Sequence, residues 1–245
     1  MPSPTSRRPS QSILGMSWDE FLPWFDMKWH PGQHIAIIGP TGQGKTTTGI
    51  QIAGLRKYVL ALDAKGGDST LEAMGWDRIP SWPPPKKIRE DIEDGKPARL
   101  VVGMKARTEQ EMATLVRSIR DAINAAFAEG GWTVVVDELQ ITAQFMALGR
   151  LVERNLIAAR DRASSVMTMY QAPSWVPTAS TRQATWGIVY PTRDTDVIKA
   201  LAAKFGRDRR ELEEALYELP DFHVLVVGLN PRMPMVLTTS PKLGG

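Results

Sequence analysis

The chain has 245 residues, 42% of them hydrophobic and 23% charged, enough for one ordinary globular domain and too few for two comfortable ones. Its formal charge of +3 permits a nucleic-acid partner without arguing for one, and the absence of cysteine excludes disulfides and thiolate catalysis. No apolar run approaches the roughly 18 residues of a membrane span and no apolar signal core opens the chain, so the expected location is the cytoplasm.

Residues 1–12, MPSPTSRRPSQS, are rich in Pro, Ser and Arg and lack periodicity, which predicts a disordered basic arm. Residues 13–30 form an aromatic lead-in with Trp18, Phe21, Trp24, Phe25 and Trp29. Large rings at that density suit a short helix packed on the core, and equally a subunit contact or a stack against a base. His34 to Ile38 is an apolar run of strand length, followed by Gly39, Pro40, Thr41, Gly42, Gln43, Gly44, Lys45, Thr46 and Thr47. This is a complete G-x-x-x-x-G-K-[ST] pattern, and Thr47 to Ala53 can continue it as a helix. Glycines let backbone N–H groups turn inward around phosphates, and the helix presents its positive end to the same oxygens. In such a loop Lys45 meets the β- and γ-phosphates of ATP and Thr46 takes one position on Mg²⁺.

Tyr58 to Asp63 reads as a second strand, ending in Ala64-Lys65-Gly66-Gly67-Asp68. Ser81 to Lys87, with three consecutive prolines, is expected to be a stiff surface loop. Leu100 to Val102 is a third strand. Met112, Leu115, Ile119, Ile123 and Phe127 then mark the buried stripe of a long helix that Gly130-Gly131 ends. Thr133 to Val136 is a β-branched run suited to a strand buried on both faces, and Asp137-Glu138 follow it. At the carboxyl end of a parallel strand both acids emerge beside the phosphate loop. Asp137 would then hold the water shell of Mg²⁺ while Glu138 polarises an attacking water. One Thr and one Asp suffice for an ion that keeps several of its waters.

Ile141, Phe145, Leu148, Val152 and Leu156 predict one helix, and Ala159-Arg160-Asp161-Arg162 close it. Arg160 and Arg162 fit either a solvated helix end or an arginine finger offered to a neighbouring subunit's ATP. Val166 to Tyr170 is a strand, and Gln171 at its end is placed to sense a γ-phosphate or is an ordinary polar residue ending the strand. Gly187 to Tyr190, helices over 196–205 and 209–219, and a hairpin of 222–227 with 235–238 complete the chain, leaving 241–245 as a flexible tail. Strands alternate with helices, so the fold class is α/β, a mostly parallel sheet covered on both faces with a C-terminal β-hairpin. Residues 31–240 form its nucleotide-binding domain.

Four features, in order, resemble the HerA/FtsK superfamily of P-loop ATPases: the loop GPTGQGKTT, the strand ending LDAKGGD, the strand VVVDE, and MYQAPSWVP, which is similar to the family's T-Q-R-P-S-x-[IV]-P. The run ARDRASSV is also like the family's g-R-x-x-G-i. Ala172 and Tyr170 depart from the family's Arg and Thr in the fourth motif, and Ala64 from its Pro. The resemblance implies a RecA-like ATPase with Lys45, Thr46, Asp137, Glu138 and Gln171 at its site. It implies a homo-oligomeric ring that translocates double-stranded DNA, and the short chain is most like the small genome-packaging ATPases of double-stranded DNA phages. A portal or vertex protein would anchor such a ring, and Lys86, Lys87, Lys105 and Arg107 are candidates for its DNA-facing surface. Two other readings are a nucleotide-gated phage assembly factor and a plasmid or chromosome DNA-transfer ATPase. A small-molecule kinase is disfavoured by the water-activating acid at Glu138, and no L-S-G-G-Q-like stretch supports a transporter subunit.

Overall fold

The computed structural model describes residues 13–230 and 232–241; the basic arm at 1–12 and all but the first residue of the tail at 241–245 lie outside them. In chain order, β1 (Ile13–Met16) and α1 (Trp18–Lys28) precede β2 (His34–Ile38), α2 (Lys45–Ala53), β3 (Tyr58–Leu62), α3 (Ser69–Ala73) and β4 (Asp77–Ile79). Then come α4 (Lys86–Glu93), β5 (Ala98–Val102), α5 (Glu109–Glu129), β6 (Thr133–Val136) and a π-helical turn at Ile141–Phe145. They lead to α6 (Gly149–Ala158), β7 (Ser165–Tyr170), α7 (Ala179–Arg182) and β8 (Ala184–Val189). The chain closes with α8 (Thr195–Phe205), α9 (Arg209–Tyr217), β9 (His223–Gly228) and β10 (Met235–Thr239).

All ten strands join one sheet in the order β1-β10-β9-β8-β2-β7-β6-β3-β5-β4. Only β9 opposes the others: it pairs antiparallel with both β8 and β10, whereas each remaining pairing is parallel. The strand that enters the phosphate loop, β2, is central, and β7 separates it from β6, the strand that ends in the two acids.

Alternate residues of the central strands feed two cores. Ile35 and Ile37 of β2 face a cluster with Phe21, Phe25, Trp29, Ile50, Ile52 and Leu71, while Ala36 and Ile38 face one with Leu115, Ile119, Ile123, Val152 and Leu156. The lead-in therefore belongs to the domain. Its β1 extends the sheet beside β10, and α1, opened by a Ser17–Glu20 capping box, buries Phe21 and Phe25 while Trp29 is buried just past its end. Burying each of those rings contributes about 1.5–3 kcal/mol. Trp29 is further held by the Arg56 guanidinium, 3.8 Å over its ring.

Three local expectations change. Lys86 and Lys87 open α4 behind Pro85 instead of ending a loop, and Trp82 packs edge-on against Trp132 at 6.4 Å. The edge strands β1 and β4 were not legible, being four and three residues long. The helix predicted through Ile141 and Leu156 is broken: Met146 N–H bonds to Ile141 O across a π turn, and Ala147 takes a φ of 54° before α6 begins. The wider turn and the reversal rotate Phe145 outward, leaving it 81% exposed, while Leu148, Val152 and Leu156 stay buried.

Candidate nucleotide site

The site lies at the carboxyl ends of the parallel strands. Gly39, one residue past β2, donates its N–H to Tyr170 O at 3.2 Å. A Cβ there would stand 2.4 Å from Tyr190 Cβ, so the loop reaches this position only with glycine. Gly42 and Gly44 take φ of 81° and 92°, values glycine reaches at no steric cost. Gly44 caps α2, whose first internal bond is Thr48 N–H to Gly44 O at 3.0 Å. The N–H groups of Lys45, Thr46 and Thr47 precede that bond, as the open donors of a helix start do. Thr47 itself is almost wholly buried, and Thr48 shares a 2.7 Å hydrogen bond with Tyr190 behind the loop. Lys45 Nζ donates to Pro40 O at 2.8 Å, closing the loop on its own lysine. Burial lowers the Lys45 pKa, although the charges of Glu138 and Asp137 work the other way.

Thr46 Oγ1 lies 3.3 and 3.2 Å from the two Asp137 carboxylate oxygens. Asp137 is buried, and burial together with the charges of Asp68 and Glu138 pushes its pKa up to about 6, against the opposing pull of Thr46 and Lys65. A hard cation fits there: a hydroxyl and a carboxylate converge, and the carboxylate is one whose charge its surroundings undercompensate. Thr46 and Asp137 would hold Mg²⁺, which supplies charge neutralisation for bound phosphates. Glu138 follows in the left-handed region at φ 52°. Such a conformation costs a non-glycine residue on the order of 1 kcal/mol and concentrates at functional sites. Its carboxylate pairs with Lys65 Nζ at 2.7 Å. Gln171, one residue past β7, donates from Nε2 to Thr41 Oγ1 at 2.8 Å and so touches the phosphate loop directly.

With a parallel sheet, a glycine-rich loop between β2 and α2, and an acid-tipped strand one position removed, the architecture is settled. The fold is that of a P-loop NTPase. No family model matches the chain and no curated protein matches it by sequence. Among solved structures, the chain resembles the genome packaging NTPase B204 from Sulfolobus turreted icosahedral virus 2 in complex with AMPPCP. The two are 16% identical with a TM-score of 0.59, over 87% of this chain and all of that one. The DNA-packaging ATPase B204 from Sulfolobus Turreted Icosahedral Virus matches at 17% identity and TM-score 0.55, again over 87% of this chain and all of that one. VirB4 of Thermoanaerobacter pseudethanolicus matches at 10% identity and TM-score 0.59, over 96% and 97% of the two chains. These likenesses agree with the P-loop NTPase fold.

Lys45, Thr46, Asp137, Glu138 and Gln171 thus come together in one crevice. Arg160 and Arg162 do not join them. They sit in the turn before β7, at the amino ends of the strands, about 20 Å from the phosphate loop by the length of a six-residue strand. Arg160 packs its backbone and side chain on Gly32. Arg162 donates to Ala128 O at 2.8 Å and lies over the Phe127 ring. Nearby, His34 is buried, accepts the Val166 N–H at 2.9 Å, and burial lowers its pKa to about 4, so it is a neutral structural group.

Sequence reasoning did not assign Lys65 and Asp68, the two charges that the turn after β3 brings to the crevice. Their signal is in the chain: LDAKGGD is an apolar strand running into a glycine-rich turn, the same grammar as the phosphate loop. Among the described residues no helix is long and apolar enough to cross a membrane.

Proposed function

We propose that the protein is an ATPase that drives double-stranded DNA translocation, packaging a viral genome as a homo-oligomeric ring in the host cytoplasm. The observation that supports this most is that a crevice holding Lys45, Thr46, Asp137 and Glu138 sits on a fold similar to that of a DNA-packaging ATPase over that protein's whole length. Lys45 and the first N–H groups of α2 bind the phosphates, and Thr46 with Asp137 orients their metal. Glu138 accepts the hydrogen of a water aimed at the γ-phosphate, and Gln171, bonded to Thr41, reports the loop's occupancy to the segment after β7. An acid at Glu138 favours water over an alcohol as acceptor, which weighs against a small-molecule kinase.

In a ring, either Arg160 or Arg162 acts on a neighbour. They lie far from their own phosphate loop, and a guanidinium delivered in trans matches the charge that spreads over a transferring phosphoryl group. DNA is gripped through its phosphates, independent of sequence and sensitive to salt.

The test is steady-state ATP hydrolysis with and without long double-stranded DNA over a range of protein concentrations, with Glu138→Gln as control. Turnover should rise with DNA and with self-association and drop to a small residual rate in the variant. Mixing Arg160→Ala, or Arg162→Ala, with Glu138→Gln then asks whether two chains share one site. ATP binding without hydrolysis, indifferent to DNA at every concentration, would replace the motor with a nucleotide-gated assembly factor.

A further inference from the structure

We propose that Lys65 is the positioning residue for Glu138, an inference that rests on the ATPase reading above. Glu138 leaves β6 in a left-handed conformation on a segment that continues into a π turn, and its carboxylate is part-exposed at the lip of the crevice. A side chain so placed has several rotamers open to it, and a water-activating carboxylate is useful only in the one that faces the phosphate. Lys65 Nζ, 2.7 Å from Glu138 Oε1, selects one of them.

The turn that carries Lys65 is wired to do this. Asp63, one residue past β3 and almost wholly buried, accepts the N–H groups of Gly66, Gly67 and Asp68 at 2.8, 2.7 and 3.1 Å, and Arg78 Nη1 at 2.8 Å. Gly66 and Gly67 have φ of 69° and 91°. A Cβ on Gly66 would meet the backbone oxygen of Met104 at 2.1 Å, so the turn also packs hard against the segment after β5. Asp68 caps α3 through the Thr70 and Leu71 N–H groups. Gly66, Gly67 and Asp68 are thereby fixed, and the lysine projects from this base across to the strand that ends in the acids. The pair joins β3 to β6, adjacent strands in the sheet. The position of the base is thus set by a contact from outside the phosphate loop.

The experiment compares Lys65→Met, Lys65→Arg and Glu138→Gln by single-turnover hydrolysis, with nucleotide affinity measured separately using a fluorescent ATP analogue. Lys65→Met should slow hydrolysis about 10- to 100-fold, the cost of a base displaced by around an ångström. Nucleotide affinity should stay within about twofold, because the lost interaction acts on the chemical step. Lys65→Arg should restore most of the rate, since a guanidinium also pairs with a carboxylate. In the Glu138→Gln background Lys65→Met should add less than about twofold, as two residues acting through one contact are not additive. Full hydrolysis in Lys65→Met, multiplicative effects in the double variant, or a loss of nucleotide affinity with the rate preserved would each overturn the proposal, the last making Lys65 a phosphate ligand instead.

A second readout needs no turnover. The ¹⁵N-ammonium signal of Lys65 in the wild-type chain should shift on Glu138→Gln, and an unmoved signal would sink the pairing even in an active enzyme. A wild-type chain that shows the shift but hydrolyses no ATP under any condition removes the ATPase reading, and the positioning role with it.

Discussion

Two glycine-rich turns stand at the carboxyl ends of β2 and β3, with β7 and β6 between those strands, and they solve the same problem in opposite ways. In each, an apolar strand runs into glycines with positive φ, whose N–H groups turn inward around one centre. The Asp63–Asp68 turn fills that centre with a carboxylate of its own, which Arg78 neutralises. The phosphate loop instead has Lys45 folded onto Pro40 O and continues into a helix whose first donors precede any internal bond. A turn that supplies its own anion becomes a rigid mount. One that supplies only donors and a cation becomes a binding site.

That contrast is most sharply broken at Asp63. Removing a buried carboxylate while its guanidinium partner remains typically costs about 3–5 kcal/mol, and three N–H groups lose their acceptor here as well. Asp63→Ala should therefore lower the urea midpoint markedly, and an unchanged midpoint would show that the turn does not depend on its internal anion. Burial alone would raise the Asp63 pKa, but Arg78 and the N–H groups of Asp68 and Gly67 outweigh it and hold it below the ordinary range. The stability Asp63 supplies is accordingly present above the unfolded-state pKa, near 4, and lost as pH falls below it.

The complementary change in the other turn is Lys45→Ala. Here the fold should survive, since Lys45 spends burial on a single loop carbonyl, while ATP affinity should fall about 100-fold or more, the loss of a charge-assisted phosphate contact. Calorimetric titration and a melting curve on the same sample separate the two effects. A collapse of stability with affinity retained would exchange the roles of the two turns.

Asp137 sharpens the comparison from between them. Its carboxyl is held at about 6 against 3.8, so the folded chain binds that proton more tightly than the unfolded one. Its ionisation then costs stability that grows as pH rises from 4 to 6 and is complete above, on the order of 2–3 kcal/mol at 1.36 kcal/mol per unit. Asp137→Asn should be more stable than wild type at pH 8 without nucleotide or metal, with the difference shrinking to nothing by pH 4. Stabilisation by MgATP should also be weaker in the variant. A constant difference across that range would remove Asp137 as the strained group.

The smallest effect expected is at Gln171. Its bond to Thr41 is exposed, so Gln171→Ala should change stability by no more than about 1 kcal/mol while slowing ATP hydrolysis. A variant with wild-type turnover would reduce Gln171 to a strand-ending polar residue.

What could be read without coordinates was what short-range chemistry encodes. The phosphate loop, β6 with its two acids, the stripe of α5 from Leu115 through Ile123 and the alternation of strands and helices each occupy one continuous stretch with its own period or spacing, although Met112, expected on that stripe, is 42% exposed at the start of the helix. What could not be read depends on partners remote in the chain. The strands β1 and β4 exist because β10 and β5 supply their hydrogen bonds, since three or four residues carry no period of their own. Phe145 kept the spacing of a buried residue, and the π turn that holds it together with the left-handed Ala147 shows why it is turned out. The alternatives left open for the aromatic lead-in are narrowed by packing, which encloses Phe21, Phe25 and Trp29 in the core beneath β2.

By itself, then, the sequence determined that a phosphate-binding loop follows a strand, that two acids tip another, and that the sheet is mostly parallel, because glycine conformations and side-chain periods are local properties. Tertiary structure alone decided which strands stand next to each other. That order brings Asp137 to Thr46 across 91 residues and Lys65 to Glu138 across 73, and it sends Arg160 and Arg162 to the opposite end of the sheet. The physical reason is that a contact between distant residues is set by the packing of the whole sheet, which no window of the chain contains.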